Sequence, residues 1–234
     1  MTSRSIPLPL KRELRQEGAF GCVICGSPII EYHHIIPFHQ AKSHTKEEMV
    51  ILCPEHHHRA DCDEIPKDVL YKAKQNPFNR NTDYISKDFF LRDYDKLKIR
   101  AGSNTYIRTP VLLEVDSQPL ITIGNDEGKA LLNAKFFNRH NKLLAEIVNN
   151  EWYAYKNKEL WDLQYSPGHL KVNRAMGNIA LEFSIKGDLV ELRGSMFYNG
   201  FKIELHPDKT IFGSNNLITN CTISGCGKGI VINT

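Results

Sequence analysis

The chain has 234 residues and a formal net charge of +3, which allows one large domain or two modest ones and does not demand a polyanionic partner. Hydrophobic residues make up 41% and charged residues 24%, which excludes a disordered chain. No run of about 18 apolar residues occurs and the N-terminus lacks an apolar signal core, so no membrane partner is expected and a reducing, cytoplasmic location is.

In chain order, the first element is a helix from Pro9: proline suits a first turn, Leu10 and Leu14 lie one turn apart, and Gly18 stops it. Lys11, Arg12 and Arg15 occupy its remaining surface, either as a solvated face or as phosphate contacts. Phe20 to Cys25 reads as a tight knuckle, with Gly21 and Gly26 bracketing Cys22 and Cys25. Residues 28 to 37 read as a strand, on which the adjacent His33 and His34 face opposite ways. Residues 38 to 48 read as a polar loop and Met49 to Leu52 as a short strand. Pro54 then opens a helix through EHHHRADC, where His57 and Asp61 are four apart and share a face. Lys67 to Lys74 reads as one more helix.

From about Tyr106 the texture changes. Short apolar runs such as VLLEV, LITIG and IALEFSI recur between turn signals every 8 to 12 residues, the mark of an antiparallel sandwich or barrel. The last stretch, rich in Asn, Gly and Ile, reads as edge strands or a turn or two of solenoid. Cys221 and Cys226 read as small buried hydrophobes, and Trp152 and Trp161 as core aromatics. The organisation expected is α+β, with an N-terminal domain over residues 1–75, a connector over 76–100 and a β-rich domain over 101–234.

Residues 22 to 61 speak most directly about chemistry. They hold seven of the ten histidines, the C-x2-C pair Cys22 and Cys25, and the C-x2-H pair Cys53 and His56. In a reducing compartment C-x2-C reads as a metal site or a redox pair, and the βαβ pattern of a redox pair is missing. Cys22, Cys25, Cys53 and His56 make a Cys3His set suited to tetrahedral zinc. His57 would replace His56 at x3 spacing, but helix geometry favours His56. His57 then points about 100° away and is left over with His33 and His34, which reads as a second, open metal site.

C-x2-C, HHIIP and LCPEHH together resemble the HNH nucleases, over roughly residues 20 to 62. The resemblance implies a small ββα-metal domain, often zinc-stapled and treble-clef-like, that hydrolyses phosphodiester bonds. It implies His33 and His57 as ligands of a catalytic divalent ion (Mg²⁺ or Mn²⁺), His34 as general base, and Asp61 as a further metal-side group. The family's central Asn, five residues before the third zinc ligand, is here Glu48, which accepts hydrogen bonds but cannot donate them as an amide does. On this reading the partner is DNA, expected to be double-stranded, contacted by Lys11, Arg12, Arg15 and Arg59. The β-rich domain would serve regulation, specificity or docking of a protein partner, as in a phage-defence effector. The alternative is a zinc-stabilised nucleic-acid- or protein-binding module without turnover.

Overall fold

The computed structural model describes residues 5–234. It is mostly β, and no helix among the described residues is long and apolar enough to cross a membrane. The chain forms two compact units. The first comprises the described residues up to Ile85 together with Trp161–Ser166, and the second comprises Ser86–Leu160 and Pro167–Thr234.

In the first unit, α1 (Leu8–Glu17) ends at Gly18 as the sequence predicts. A two-stranded antiparallel hairpin follows, with β1 (Glu31–His34) paired residue for residue to β2 (Met49–Leu52). Between them the expected loop contains one short helix, α2 (Phe38–Ala41), closed by Lys42 in the left-handed region. Then come α3 (Pro54–Asp61) and α4 (Lys67–Gln75). All four β2 residues are buried, with Leu14, Val23, Ile35 and Leu70 around them. A core this small holds few kcal/mol, so covalent or metal staples carry weight in it. Lys74 supplies one polar clamp: its buried ammonium donates to Glu17 Oε2 and to the Met49 carbonyl, each at 2.6 Å.

The segment Trp161–Ser166, which sequence reasoning places inside the β-rich domain, joins the first unit through α1. Arg15 is buried and grips Asp162 with two hydrogen bonds of 2.8 and 2.7 Å. Gln16 donates to the Trp161 carbonyl, and the Arg12 guanidinium lies 4.6 Å from the Trp161 ring centre. Breaking a buried ion pair on one side strands the other charge. Asp162→Ala is therefore expected to destabilise the first unit by about 3–5 kcal/mol, read as a lower denaturant midpoint. The double change Arg15→Met with Asp162→Leu should recover much of that loss; equal losses in both variants would count against the stranded-charge explanation.

The second unit is a large multi-stranded sheet built mainly from hairpins. Its turns carry the expected chemistry: Asn149 and Asn150, at φ 47° and 67°, join Leu143–Val148 to Glu151–Tyr155. That geometry suits the twist of a two-residue hairpin turn. Two expectations need correction. The sheet is not closed into a barrel, and it is not wholly antiparallel. Lys98–Ala101 runs parallel to Leu189–Leu192, and Thr222–Ser224 and Lys228–Ile232 run parallel to Asn104–Ile107 and Val111–Val115. The sequence pattern has period 2 in either orientation, so it cannot report strand direction. The C-terminal stretch thus forms edge strands, and Cys221 and Cys226 are exposed, not buried. They lie in the connecting segments on either side of the strand Thr222–Ser224.

Trp152 is a fully buried core residue, as expected. Glu182 is buried too and bonded to Arg193 (2.9 and 2.7 Å) and His169 (3.0 Å). Burial raises its carboxyl pKa, but Arg193, His169 and Lys171 outweigh burial and leave it below the usual value. A depressed folded-state pKa contributes stability above the unfolded value, and that contribution disappears as pH falls through the folded value. Acid unfolding of Glu182→Gln is therefore expected to be less steep below about pH 4.5, with lower stability at pH 7. An unchanged acid profile would show that Glu182 is not linked to folding.

Candidate metal centre

Two clusters of metal-ligating side chains occur among the described residues of the first unit: Cys22, Cys25, Cys53 and His56, and beside them His33, His57 and Asp61. Within each, the ligand atoms lie within 4.8 Å of one another.

The knuckle that presents Cys22 and Cys25 is closed by its own backbone. Gly26 N–H donates to the Cys22 carbonyl and Cys22 N–H to Ser27, both at 2.8 Å. Gly26 has φ 77°, and a Cβ there would lie 2.4 Å from Asn79 Oδ1, so the glycine is required both for its backbone angle and for space. Cys53 is the residue before α3, and Pro54 and Glu55 open the helix. The helix N-terminus favours negative charge at Cys53. His56, in the first turn, brings Nδ1 to 3.2 Å from Cys53 Sγ and 3.5 Å from Cys22 Sγ, while Cys25 and Cys53 sulfurs are 3.7 Å apart. A tetrahedral zinc with Zn–S near 2.3 Å places its sulfurs about 3.8 Å apart, so the set could hold zinc without rearrangement.

Electrostatics favour an ion as well. Burial pushes the Cys22 thiol up, and burial with the neighbouring Cys22 sulfur pushes Cys25 up to about 12. Such thiols ionise only with a cation among them.

The second cluster forms across β1 and α3. His33 Nδ1 lies 3.3 Å from Asp61 Oδ1, and His57 Nδ1 lies 3.4 Å from Asp61 Oδ2. The His33 and His57 rings meet edge to face at 5.0 Å. Glu31, missed at the sequence level, puts Oε2 3.1 Å from His57 Nδ1. Its signal was available: residues 31 and 33 of one strand share a face. The set of two imidazoles and a carboxylate could hold a metal ion.

His34 points the other way, as the strand alternation predicts, yet it borders the same cavity of about 510 Å³ as His33, His57 and Asp61. Its Nε2 lies 2.9 Å from His44 Nδ1, and the His44 ring stacks on Phe38 at 4.8 Å. His44 is the second residue that sequence reasoning missed, because a loop gives no periodicity. Burial lowers the His34 pKa first and His44 second, with Glu48 opposing them; burial also leads the lowering at His33. Glu48 itself accepts a hydrogen bond from Thr45 Oγ1 at 3.3 Å, and it acts on His34 through its charge.

The four residues expected to meet DNA all have partners within the first unit. Arg15 is committed to Asp162, Arg12 lies on Trp161, Lys11 lies 5.4 Å from the Tyr32 ring centre, and Arg59 pairs with Glu64 at 2.7 Å. Arg15, being buried, is not offered to a phosphate; Lys11, Arg12 and Arg59 keep exposed or half-exposed heads.

The residues thus define a Cys3His cluster able to hold a metal ion such as zinc, flanked by an open His–His–carboxylate group. Comparison with family models, curated proteins and solved structures returned no match, so the reading of the site rests on its own geometry.

Proposed function

We propose that the first unit is a metal-dependent endonuclease site of the HNH kind that hydrolyses DNA phosphodiester bonds. The observation that carries this reading is the convergence of His33, His57 and Asp61 on a cavity that His34 also borders, all on a hairpin and helix fixed by the Cys3His knuckle.

On this reading His33 and His57, with Asp61 beside them, would hold a divalent ion such as Mg²⁺ or Mn²⁺, which would supply charge stabilisation to phosphodiester hydrolysis. In the tautomer with the proton on Nε2, His34 donates to His44 Nδ1, 2.9 Å away, and the lone pair of His34 Nδ1 is left for the proton of an attacking water. A lowered pKa keeps that imidazole neutral near pH 7. Glu48, standing where the family has Asn, steadies the imidazolium that forms. Cys22, Cys25, Cys53 and His56 would hold a structural zinc that staples the knuckle to the helix and supplies no chemistry to the reaction. The second unit then serves regulation, specificity or docking.

A second reading, a zinc-stabilised binding module without turnover, is favoured by Glu48 in the Asn position. Nicking of supercoiled plasmid by the full chain separates the two. Cleavage that needs added Mg²⁺ or Mn²⁺ supports the nuclease; a wild-type chain that cuts no better than His34→Ala with either metal leaves only the binding module.

A further inference from the structure

The sheet of the second unit has an arc that is paired on one side only. Residues 222–232 lie beside residues 105–115 in one parallel register: Thr222 stands next to Thr105, Lys228 next to Val111 and Ile232 next to Val115. Among the described residues no other strand packs along the far side of Lys228–Ile232. Val231, near the middle of that strand, is 46% exposed.

The backbone shows which groups the open side presents. The Asp116 N–H donates to the Ile232 carbonyl at 2.9 Å, so Ile232 directs its backbone groups at Val111–Val115, and Ile230 and Lys228 do the same. Successive residues of a strand direct N–H and C=O to opposite sides. Gly229 and Val231 therefore aim theirs at the open edge. An edge of that kind pairs with another strand unless it is blunted by proline, a bulge or free charge. Residues 222–234 contain no proline, and their one charged side chain, Lys228, is neutralised by the buried Glu114 at 2.7 Å. Thr234 fastens the end of the strand by donating to Asp116 from its N–H (2.9 Å) and its Oγ1 (2.7 Å). The edge is thus ordered before anything meets it, which lowers the entropy lost on pairing.

The strand suits its own copy. A two-fold axis pairs a strand with itself only in antiparallel fashion. An axis through Ile230 sets Gly229 of each copy opposite Val231 of the other. Both residues have edge-directed groups, so each such pair exchanges both of its N–H···O=C bonds. Val231 then lies across the ladder from a glycine and meets no opposing side chain. Lys228 falls opposite Ile232, which avoids the penalty of like charges placed face to face.

We propose that the second unit self-associates through Lys228–Ile232, the strands of two copies joining antiparallel about Ile230 into one continuous sheet. The contact is small, so association of micromolar strength is expected. The site shares no residue with either metal cluster and stands whether or not the first unit cuts DNA.

The test uses the full chain under reducing conditions. Sedimentation equilibrium from the micromolar to the submillimolar range is expected to show monomers passing into dimers. Val231→Pro removes an edge-directed N–H and spares the bonds to Val111–Val115, and should weaken the dimer about tenfold or more. Val231→Lys places two like charges near the axis and should act in the same direction; it keeps the test open if proline disturbs the strand. Register is read separately, on mild oxidation followed by peptide mapping. The two copies of residue 230 meet as a non-hydrogen-bonded pair with Cα atoms about 4.5 Å apart, within disulfide reach. Ile230→Cys should therefore cross-link position 230 of one copy to position 230 of the other, whereas Ile232→Cys should not cross-link to itself. A chain that stays monomeric, a dimer that both Val231 variants leave unchanged, or a dimerising Ile230→Cys protein without the 230-to-230 link overturns the proposal.

Discussion

His34→Ala is expected to lower plasmid nicking by the full chain by about 10²–10⁴-fold, the range over which a positioned general base accelerates proton transfer. Among the described residues, the change removes the one imidazole that borders the cavity outside the His33–His57–Asp61 group. The protein should remain folded, because His34 is half-buried and lies against Phe38 and His44 in the loop, not in the core around β2. His44→Ala is expected to act in the same direction by a smaller factor, since His34 loses its orienting partner and keeps its lone pair. A single-turnover rate for each variant checks the order. An His44→Ala rate equal to wild type removes His44 from the mechanism, and an His34→Ala rate equal to wild type removes the mechanism.

Loss of the Cys3His ion should have the largest effect on structure. Cys53→Ala deletes the ligand nearest His56 and the one at the helix N-terminus. Elemental analysis is expected to show about one zinc per wild-type chain and close to none in Cys22→Ala or Cys53→Ala. Apparent binding energies of structural zinc reach about 10–16 kcal/mol, more than a core of this size supplies by burial. Chelation should therefore open the first unit to protease, with early cuts between Cys22 and Asp61. Full zinc content in both variants would show that the ion, if present, sits elsewhere. A wild-type chain free of zinc yet resistant to protease would show that burial alone holds the hairpin and helix.

Much of the site was legible in spacing. The knuckle, β2, the proline-led α3 and the ligand set Cys22, Cys25, Cys53 and His56 all follow from local signals: paired x2 intervals, flanking glycines and a first-turn proline. The helical interval of four brought His57 and Asp61 together, and strand alternation separated His33 from His34. Glu31 was readable by the same alternation, yet a lone glutamate at the end of a short strand carries little weight until its neighbour is known. His44 could not be read, because a loop position acquires meaning only from where the chain returns in space. The basic residues of α1 show the same limit: Arg15 has the sequence signature of a surface cation and is buried against Asp162, 147 positions away.

The sequence by itself determined a cysteine- and histidine-rich module with metal-ligand spacing near the N-terminus and a strand-rich remainder, because ligand spacing and hydrophobic period are local properties. Only the tertiary structure decided which strands run parallel, that Cys221 and Cys226 are exposed, and that Trp161–Ser166 belongs with the first unit. Each of these depends on contacts between residues far apart in the chain. Such contacts are fixed by the total burial and charge pairing of the folded molecule, which no local pattern encodes.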